Sequence, residues 1–341
     1  MSIVETGQKT YEVTLEPSGK TMFVKEGQTL LNAAIRNGIQ IPYGCRHGSC
    51  SACKAQVLEG EYQLMGRVSE YSLMSFEREE GFILLCSTVA ESDLVIEVEE
   101  EKSDEPFFPV YDFEATVVEN VECTPDIHKI TLKLETPEEF PYAAGQFCEF
   151  AIPGCDETRA YSLAKPYAKD GIMEFHVKRI KDGIGSNYMC DLKTGDKVIG
   201  SGPYGKMRLR DRSKDLVFVA GGSGMAPIKS LIEELFSDPY EGKAWFFYGA
   251  RTEKDLYLLD EWKEMERKYP NFRFIPALSD LESGETWEGE KGYIADVVKR
   301  TLTDMKNMEA FLCGPPIMIE TTIDVLNQGG VRGADIHYDE F

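Results

Sequence analysis

Pro42-Tyr43-Gly44-Cys45-Arg46-His47-Gly48-Ser49-Cys50-Ser51-Ala52-Cys53 places three cysteines in one loop at the spacing C-x₄-C-x₂-C. A fourth, Cys86, follows in Leu84-Leu85-Cys86-Ser87, with 32 residues between it and Cys53. Four thiolates are the ligand set of a 2Fe–2S cluster, and this is its plant-type spacing. Glycines and small residues suit a loop that must turn sharply and aim backbone N–H groups at sulfur. Cys50-x-x-Cys53 alone also fits a zinc knuckle. Structural zinc, however, usually pairs two short knuckles, whereas here three ligands crowd one loop and the fourth stands apart. Cys45, Cys50, Cys53 and Cys86 are therefore expected to hold a cluster, and the chain is expected to move electrons.

The remaining composition sets bounds. A chain of 341 residues has room for two or three domains with cores of their own. A net charge of −22 argues against nucleic acid or an anionic membrane as partner. No apolar run reaches the 18 or so residues of a membrane span, and Met1 to Lys9 lacks an apolar signal core. The five cysteines outside the ligand set are Cys123, Cys148, Cys155, Cys190 and Cys313. An odd number of scattered thiols reads as reduced and buried, so the expected compartment is the cytoplasm.

Three patterns succeed one another along the chain. Residues 1–105 read as a small α+β unit: a hairpin over Tyr11–Leu15 and Thr21–Val24, a helix over Thr29–Asn37, then strands at Lys54–Leu58 and Leu94–Val98. Glu97 to Glu105 is mostly acidic with one lysine, and Pro106 and Pro109 follow, the composition of a solvated linker. Residues 106–210 hold alternating runs (Phe113–Val118, Lys129–Leu134, Gln146–Ile152, Ile172–Lys178), which suggest an antiparallel β-barrel. From 211 to 341, continuous apolar strands such as Leu216–Ala220 and Trp245–Tyr248 alternate with helices, as in a parallel α/β sheet. The first of these strands runs into Gly221-Gly222-Ser223-Gly224-Met225-Ala226-Pro227. Glycines between strand and helix let a pyrophosphate approach the helix start, and Pro227 suits a first helical turn. A plain strand–helix turn fits the same residues.

Further motifs carry a resemblance. Arg159-Ala160-Tyr161-Ser162, Gly183-Ile184-Gly185-Ser186-Asn187, Gly202-Pro203-Tyr204-Gly205, the glycine-rich turn, Tyr248-Gly249-Ala250-Arg251 and Cys313-Gly314-Pro315-Pro316 occur in order. From about residue 113 onward the chain thereby resembles the ferredoxin–NADP⁺ reductase superfamily. With the cysteine unit in front, the whole resembles the reductase components of bacterial multicomponent oxygenases, in particular those of soluble diiron monooxygenases of the phenol hydroxylase group. The resemblance implies a β-grasp ferredoxin domain, a β-barrel FAD domain and a Rossmann-like nucleotide domain.

It also implies roles. Arg159 would hold the FAD pyrophosphate with its fixed, bidentate cation, together with Gly183, Gly185 and Ser186 at a short helix's start. Tyr161 would lie against the flavin and Ser162 would meet it where hydride arrives. His176, Val177 and Lys178 would present their strand to the ring edge. Gly222, Gly224, Pro227, Arg251, Gly314 and Pro315 would line the dinucleotide site, with Cys313 beside the nicotinamide and Phe341, or else Tyr338, covering the flavin. Asp280 stands where a 2′-phosphate would need a base, which favours NADH over NADPH, although Arg251 and Lys254 pull the other way. Structural alternatives exist for several of these: a core aromatic at Tyr161, an outward residue at His176, a merely packed thiol at Cys313. The implied function is transfer of electrons from NADH through FAD and the 2Fe–2S cluster to the oxygenase or hydroxylase component of a multicomponent monooxygenase. The alternative is a similar reductase serving a ring-hydroxylating dioxygenase or a small-molecule (sugar nucleotide) dehydratase system. Residues 1–105 hold 18 acids and 9 bases, a surface suited to a basic docking patch.

Overall fold

A computed structural model describes residues 9–44, 46, 48, 50–66, 68–100, 108–155, 158–281 and 286–340. The chain divides into two compact units, Met1–Val110 and Tyr111–Phe341.

In the first unit, strands β1 (Thr10–Glu16) and β2 (Lys20–Lys25) form the expected hairpin. Their alternation buries Val13, Leu15, Met22 and Val24 on one face. Helix α1 (Leu30–Arg36) covers that face with Leu30, Leu31, Ala33 and Ala34, and Thr29 caps it by accepting from the Asn32 N–H. There follow β3 (Lys54–Glu59), β4 (Tyr62–Leu64), α2 (Ser75–Glu79), β5 (Phe82–Leu84), β6 (Thr88–Ala90) and β7 (Leu94–Glu97). The main sheet runs β2-β1-β7-β3-β5, with β7 parallel to β1 and its other pairs antiparallel. This is a β-grasp. Of the acidic run, the described part still packs on this unit: Val98 is buried, its N–H donates to the Glu16 carbonyl, and Glu100 pairs with Lys20.

The second unit begins with six antiparallel strands: β8 (Tyr111–Thr124), β9 (Ile127–Thr136), β10 (Phe147–Phe150), β11 (Arg159–Ser162), β12 (Ile172–Lys178) and, after helix α3 (Ile184–Asp191), β13 (Lys197–Tyr204). Their order is β11-β10-β13-β8-β9-β12, and a bridge between Leu163 and Phe175 joins the two ends into a barrel. Phe113, Phe150 and Phe175 fill it edge to face, with ring centroids 5.1 and 5.7 Å apart. β8 runs six residues past the expected Val118. Its charged extension is held by β9 through register shifts, so Glu119 and Glu122 belong to a twisted ribbon.

The chain then alternates β14 (Asp215–Gly221), α4 (Met225–Leu235), β15 (Ala244–Ala250), α5 (Leu259–Lys268), β16 (Phe272–Leu278), β17 (Glu290–Lys291), α6 (Ile294–Thr301), β18 (Met308–Gly314), α7 (Pro316–Gly329) and β19 (Ile336–Glu340). All six strands are parallel in the order β17-β16-β15-β14-β18-β19. Side chains of α4 and α5 bury one face, those of α6 and α7 the other. Both faces being covered, β14 and β18 are apolar throughout except for Asp215 and Glu309. The strand order reverses at β14, so a ligand crevice is expected at its carboxyl end.

Candidate functional site

Sheet pairing brings the distant fourth cysteine to the loop. Cys53 immediately precedes β3 and Cys86 follows β5, and these strands pair with Lys54 opposite Leu84. The Leu85 N–H donates to the Cys53 carbonyl at 3.0 Å. The Cys53 thiol donates to the Cys86 sulfur, which also receives the Ser87 hydroxyl and the Gly48 N–H. These donors outweigh burial and hold Cys86 down at about 6, while the same contact and burial push Cys53 up. Gly48 is fixed in turn, its carbonyl accepting from Ser69 N–H and Ser72 Oγ at 3.0 and 2.8 Å. A Cβ on Gly44 would stand 3.3 Å from Cys50 Sγ, close enough to crowd that sulfur. Three of the four expected ligands thus sit in one region with an ionisable sulfur and a backbone donor aimed at it, a donor set that fits an iron–sulfur cluster. Cys45 lies outside the described residues, and among those described no three metal-ligating side chains close on one point.

In the barrel, β11 pairs with β10, which sets Ser162 opposite Phe147 and Arg159 opposite Phe150. Tyr161 packs on Phe150, and burial pushes its phenol up to about 12, so it stays neutral. The stem of Arg159 lies across Gly185: a Cβ there would meet Arg159 Cγ at 2.5 Å. Gly185 therefore lets the guanidinium approach the start of α3, where the first backbone N–H groups have no partner inside the helix. A cation beside such a helix start fits a pyrophosphate. The Ser186 hydroxyl is used differently from expectation. It accepts the Ile180 N–H at 3.1 Å and donates to the Gly183 carbonyl, so it builds the turn and leaves the ligand to the backbone. Arg179 bonds Asn187 and Asp191, and Asn120 accepts no less a task at the other end, donating to the carbonyls of Met189, Cys190 and Leu192.

On β12, Val177 points into the barrel core. Lys178 pairs with Asp126 at 3.3 Å, which already partly neutralises it. His176 is neither outward nor exposed: its imidazole is fully enclosed, with Nε2 3.1 Å from Glu174 and Nδ1 3.0 Å from the Tyr257 hydroxyl.

The turn after β14 carries Gly222 at φ 57° and leads directly into α4, with Pro227 in its first turn. It lies against the end of β18. A Cβ on Gly224 would fall 2.1 Å from the Cys313 carbonyl oxygen, and one on Gly221 would strike Met318 and Pro315. Gly314 takes φ 150°. Glycine is thus required on both walls of the crevice at the strand-order reversal, close backbone approach being what a dinucleotide site needs. The Cys313 side chain is enclosed in the sheet's core and burial raises its thiol well above the usual value, so it is a neutral packing group here. Opposite it in register, burial pushes Asp339 up to about 7. Arg251 and Asp280 lie just past the carboxyl ends of the adjacent strands β15 and β16, with the Asp280 N–H donating to the Arg251 carbonyl at 2.8 Å. The Arg251 side chain, largely exposed, leans on Asp255 at 3.7 Å. Tyr338 is half exposed on β19, and Phe341 lies outside the described residues.

Sequence reasoning missed Glu174, Lys229 and Tyr257, and named Tyr248 only as part of a motif. Lys229 is 7% exposed, yet its Nζ reaches Glu174 at 3.1 Å, Glu233 at 2.8 Å and the Ala164 carbonyl at 3.2 Å. The available signal was a lysine on the apolar face of α4 with an acid four residues on. Burial alone would raise Glu174, but His176 and Lys229 outweigh it and hold the carboxyl at about 2.

Residues 13–91 match the family described as 2Fe-2S iron-sulfur cluster binding domain. Residues 114–209 match the oxidoreductase FAD-binding domain and 218–324 the oxidoreductase NAD-binding domain. The chain is 39% identical to the reductase component of phenol 2-monooxygenase from a Pseudomonas strain, covering 97% of this chain and 94% of that one. It is 36% identical to the reductase component of propane 2-monooxygenase from Mycolicibacterium smegmatis, covering 97% of each. Among solved structures, Amycolatopsis cytochrome P450 reductase superposes with a TM-score of 0.87 at 30% identity, over 97% of this chain and 99% of that one. The cofactors of the chain are a 2Fe–2S cluster, FAD and NAD.

Proposed function

The chain belongs to the family of iron–sulfur flavoprotein reductase components of multicomponent oxygenases, and from that premise we propose that it draws electrons from NADH for the hydroxylase of a soluble diiron monooxygenase acting on an aromatic compound. The observation that carries this reading is one chain holding a cluster loop, a flavin cradle and a dinucleotide crevice in that order. Identity to a phenol monooxygenase reductase supports the aromatic substrate of the partner.

When bound, the flavin supplies conversion of a two-electron hydride into single electrons, which the cluster can carry. The chain's residues bind and aim. Cys45, Cys50, Cys53 and Cys86 hold the cluster. Arg159 and the N–H groups at the start of α3 would hold the flavin's pyrophosphate, the neutral phenol of Tyr161 would pack against the flavin, and Ser162 would offer it a hydroxyl. Gly222, Gly224 and Gly314 admit the dinucleotide between β14 and β18. Asp280 accepts from ribose hydroxyls and repels a 2′-phosphate, and Arg251 is turned toward Asp255, which supports NADH over NADPH. The acidic first unit is the docking face for a basic patch on the hydroxylase.

The test mixes purified protein, NADH and a candidate diiron hydroxylase and follows hydroxylated product. Product formation that requires all three components is the expected result. NADH oxidation without transfer to any such hydroxylase would sink the partner assignment. Likeness to a cytochrome P450 reductase supports a second reading, a haem oxygenase partner, which the same assay separates by exchanging the acceptor.

A further inference from the structure

Five polar side chains, Lys229, Glu174, His176, Tyr257 and Tyr248, form a buried line between the flavin barrel and the dinucleotide crevice. It starts at Lys229, one turn into α4 beyond Pro227. The ammonium donates to the carbonyl of Ala164, two residues past Ser162, and pairs with Glu174 on β12 and Glu233 on its own helix. Glu174 accepts from His176 Nε2 at 3.1 Å, and His176 Nδ1 faces the Tyr257 hydroxyl at 3.0 Å. Tyr257 stands edge-on to Tyr248 with ring centroids 6.0 Å apart, and both hydroxyls lie 3.4 Å from the Gly222 carbonyl.

The proton inventory fixes the roles. An ionised Glu174 can only accept, so Nε2 carries the imidazole proton. Nδ1 then offers a lone pair, and the Tyr257 hydroxyl, lying 3.0 Å from Nδ1 and 3.4 Å from the Gly222 carbonyl, shares its one proton between them, while Tyr248 donates to the Gly222 and Asp255 carbonyls, both at 3.4 Å. Every polar atom of the line has a partner, the condition under which such a network rigidifies rather than weakens a buried boundary. Leu258, the residue after Tyr257, takes φ 58°, a left-handed conformation that bulky side chains avoid.

We propose that His176 and Tyr257 are positioning residues that fix the dinucleotide loop at Gly222 against the flavin barrel, with Lys229 anchoring α4 to β12 and to the segment that follows β11. The proposal rests on the reading of residues 221–227 as part of the dinucleotide site. Hydride transfer demands the two reacting partners at near-contact distance, so a loop free to shift by about 1 Å loses rate even when it still binds.

Tyr257→Phe removes one oxygen and keeps the ring. Two measurements on the holoprotein decide the matter. Hydrogen exchange of the peptide spanning 221–227, without nucleotide, is expected to quicken about tenfold in the variant, the equivalent of about 1.4 kcal/mol. The rate of FAD reduction at saturating NADH, followed by stopped flow per bound FAD, is expected to fall about tenfold while the KM for NADH moves less than twofold. A long-wavelength charge-transfer band between reduced flavin and NAD⁺ should weaken with it. An unchanged reduction rate, whatever the exchange shows, overturns the positioning role. If NADH instead fails to slow exchange of 221–227 in the unaltered protein, the reading of the loop as a dinucleotide site is what falls.

Discussion

Gly224→Ala tests the crevice most sharply. Gly224 has φ −59°, so alanine meets no backbone penalty there and any effect is steric. The new Cβ would lie 2.1 Å from the Cys313 carbonyl oxygen, 2.5 Å from its carbon and 2.9 Å from the Gly314 nitrogen. Ordinary contact is about 3.5 Å, and all three atoms are backbone, so the ends of β14 and β18 must part by roughly 1 Å. Such overpacking costs about 1–3 kcal/mol, a melting shift of roughly 2–4 °C for each kcal/mol in a unit of this size. The same displacement widens the dinucleotide site, and a misplacement of that size can cost about 10²-fold in kcat/KM for NADH. FAD absorbance per chain should remain, because the atoms the new Cβ meets belong to Cys313 and Gly314 and not to Arg159. Stopped-flow reduction by NADH, with calorimetry beside it, reads both effects. Near-normal NADH kinetics in the variant would refute the reasoning. Gly222→Ala separates the two causes: no protein atom lies within 4 Å of its Cβ, so its loss of stability should be only the strain of φ 57°, about 1–2 kcal/mol, and any further loss in NADH binding reports the Cβ meeting the nucleotide itself.

Gly185→Ala should displace the Arg159 stem and lower the FAD content of purified protein severalfold, read from the flavin-to-protein absorbance ratio, with cluster absorbance intact. Asp280→Arg should improve kcat/KM for NADPH relative to NADH by at least tenfold, measured with an artificial electron acceptor; an unchanged ratio would move the selectivity elsewhere. Glu174 has a native carboxyl at about 2 and an unfolded one at 4.5, so its contribution is present above about pH 4.5 and lost as pH falls toward 2. Chemical denaturation from pH 7 down to pH 3 should therefore show a loss below pH 5 that is smaller in Glu174→Gln.

The features that could be read from the sequence are those whose partners are near in the chain. The cysteine spacing, the glycines around Gly224 and the Arg159–Ser162 strand each carry their chemistry within a few residues. Cys86 was legible from the plant-type spacing, whereas β5, whose pairing with β3 brings it back to the loop, was not read from the sequence. The line from Lys229 to Tyr257 was not legible: Glu174, His176 and Tyr257 look like ordinary strand and loop residues until the barrel and sheet pack together. Only Lys229, set among Ile228, Leu231 and Ile232 with Glu233 one turn on, hinted at a buried ion pair. Ser186 and Lys178 show the converse. Their types suited a ligand role, but nearer partners, the Ile180 N–H and Asp126, take up the hydroxyl and the ammonium.

The central claim is an electron path from NADH through FAD to the 2Fe–2S cluster and out to an oxygenase. Anaerobic stopped flow with NADH follows the flavin and cluster absorbances together, and a second mixing step adds the hydroxylase. Flavin bleaching should come first, cluster reduction second, and cluster reoxidation only when hydroxylase is added. In Arg159→Ala protein stripped of FAD, the cluster should remain oxidised. A cluster reduced by NADH in that flavin-free protein, or one that stays oxidised while the flavin is reduced, would contradict the path.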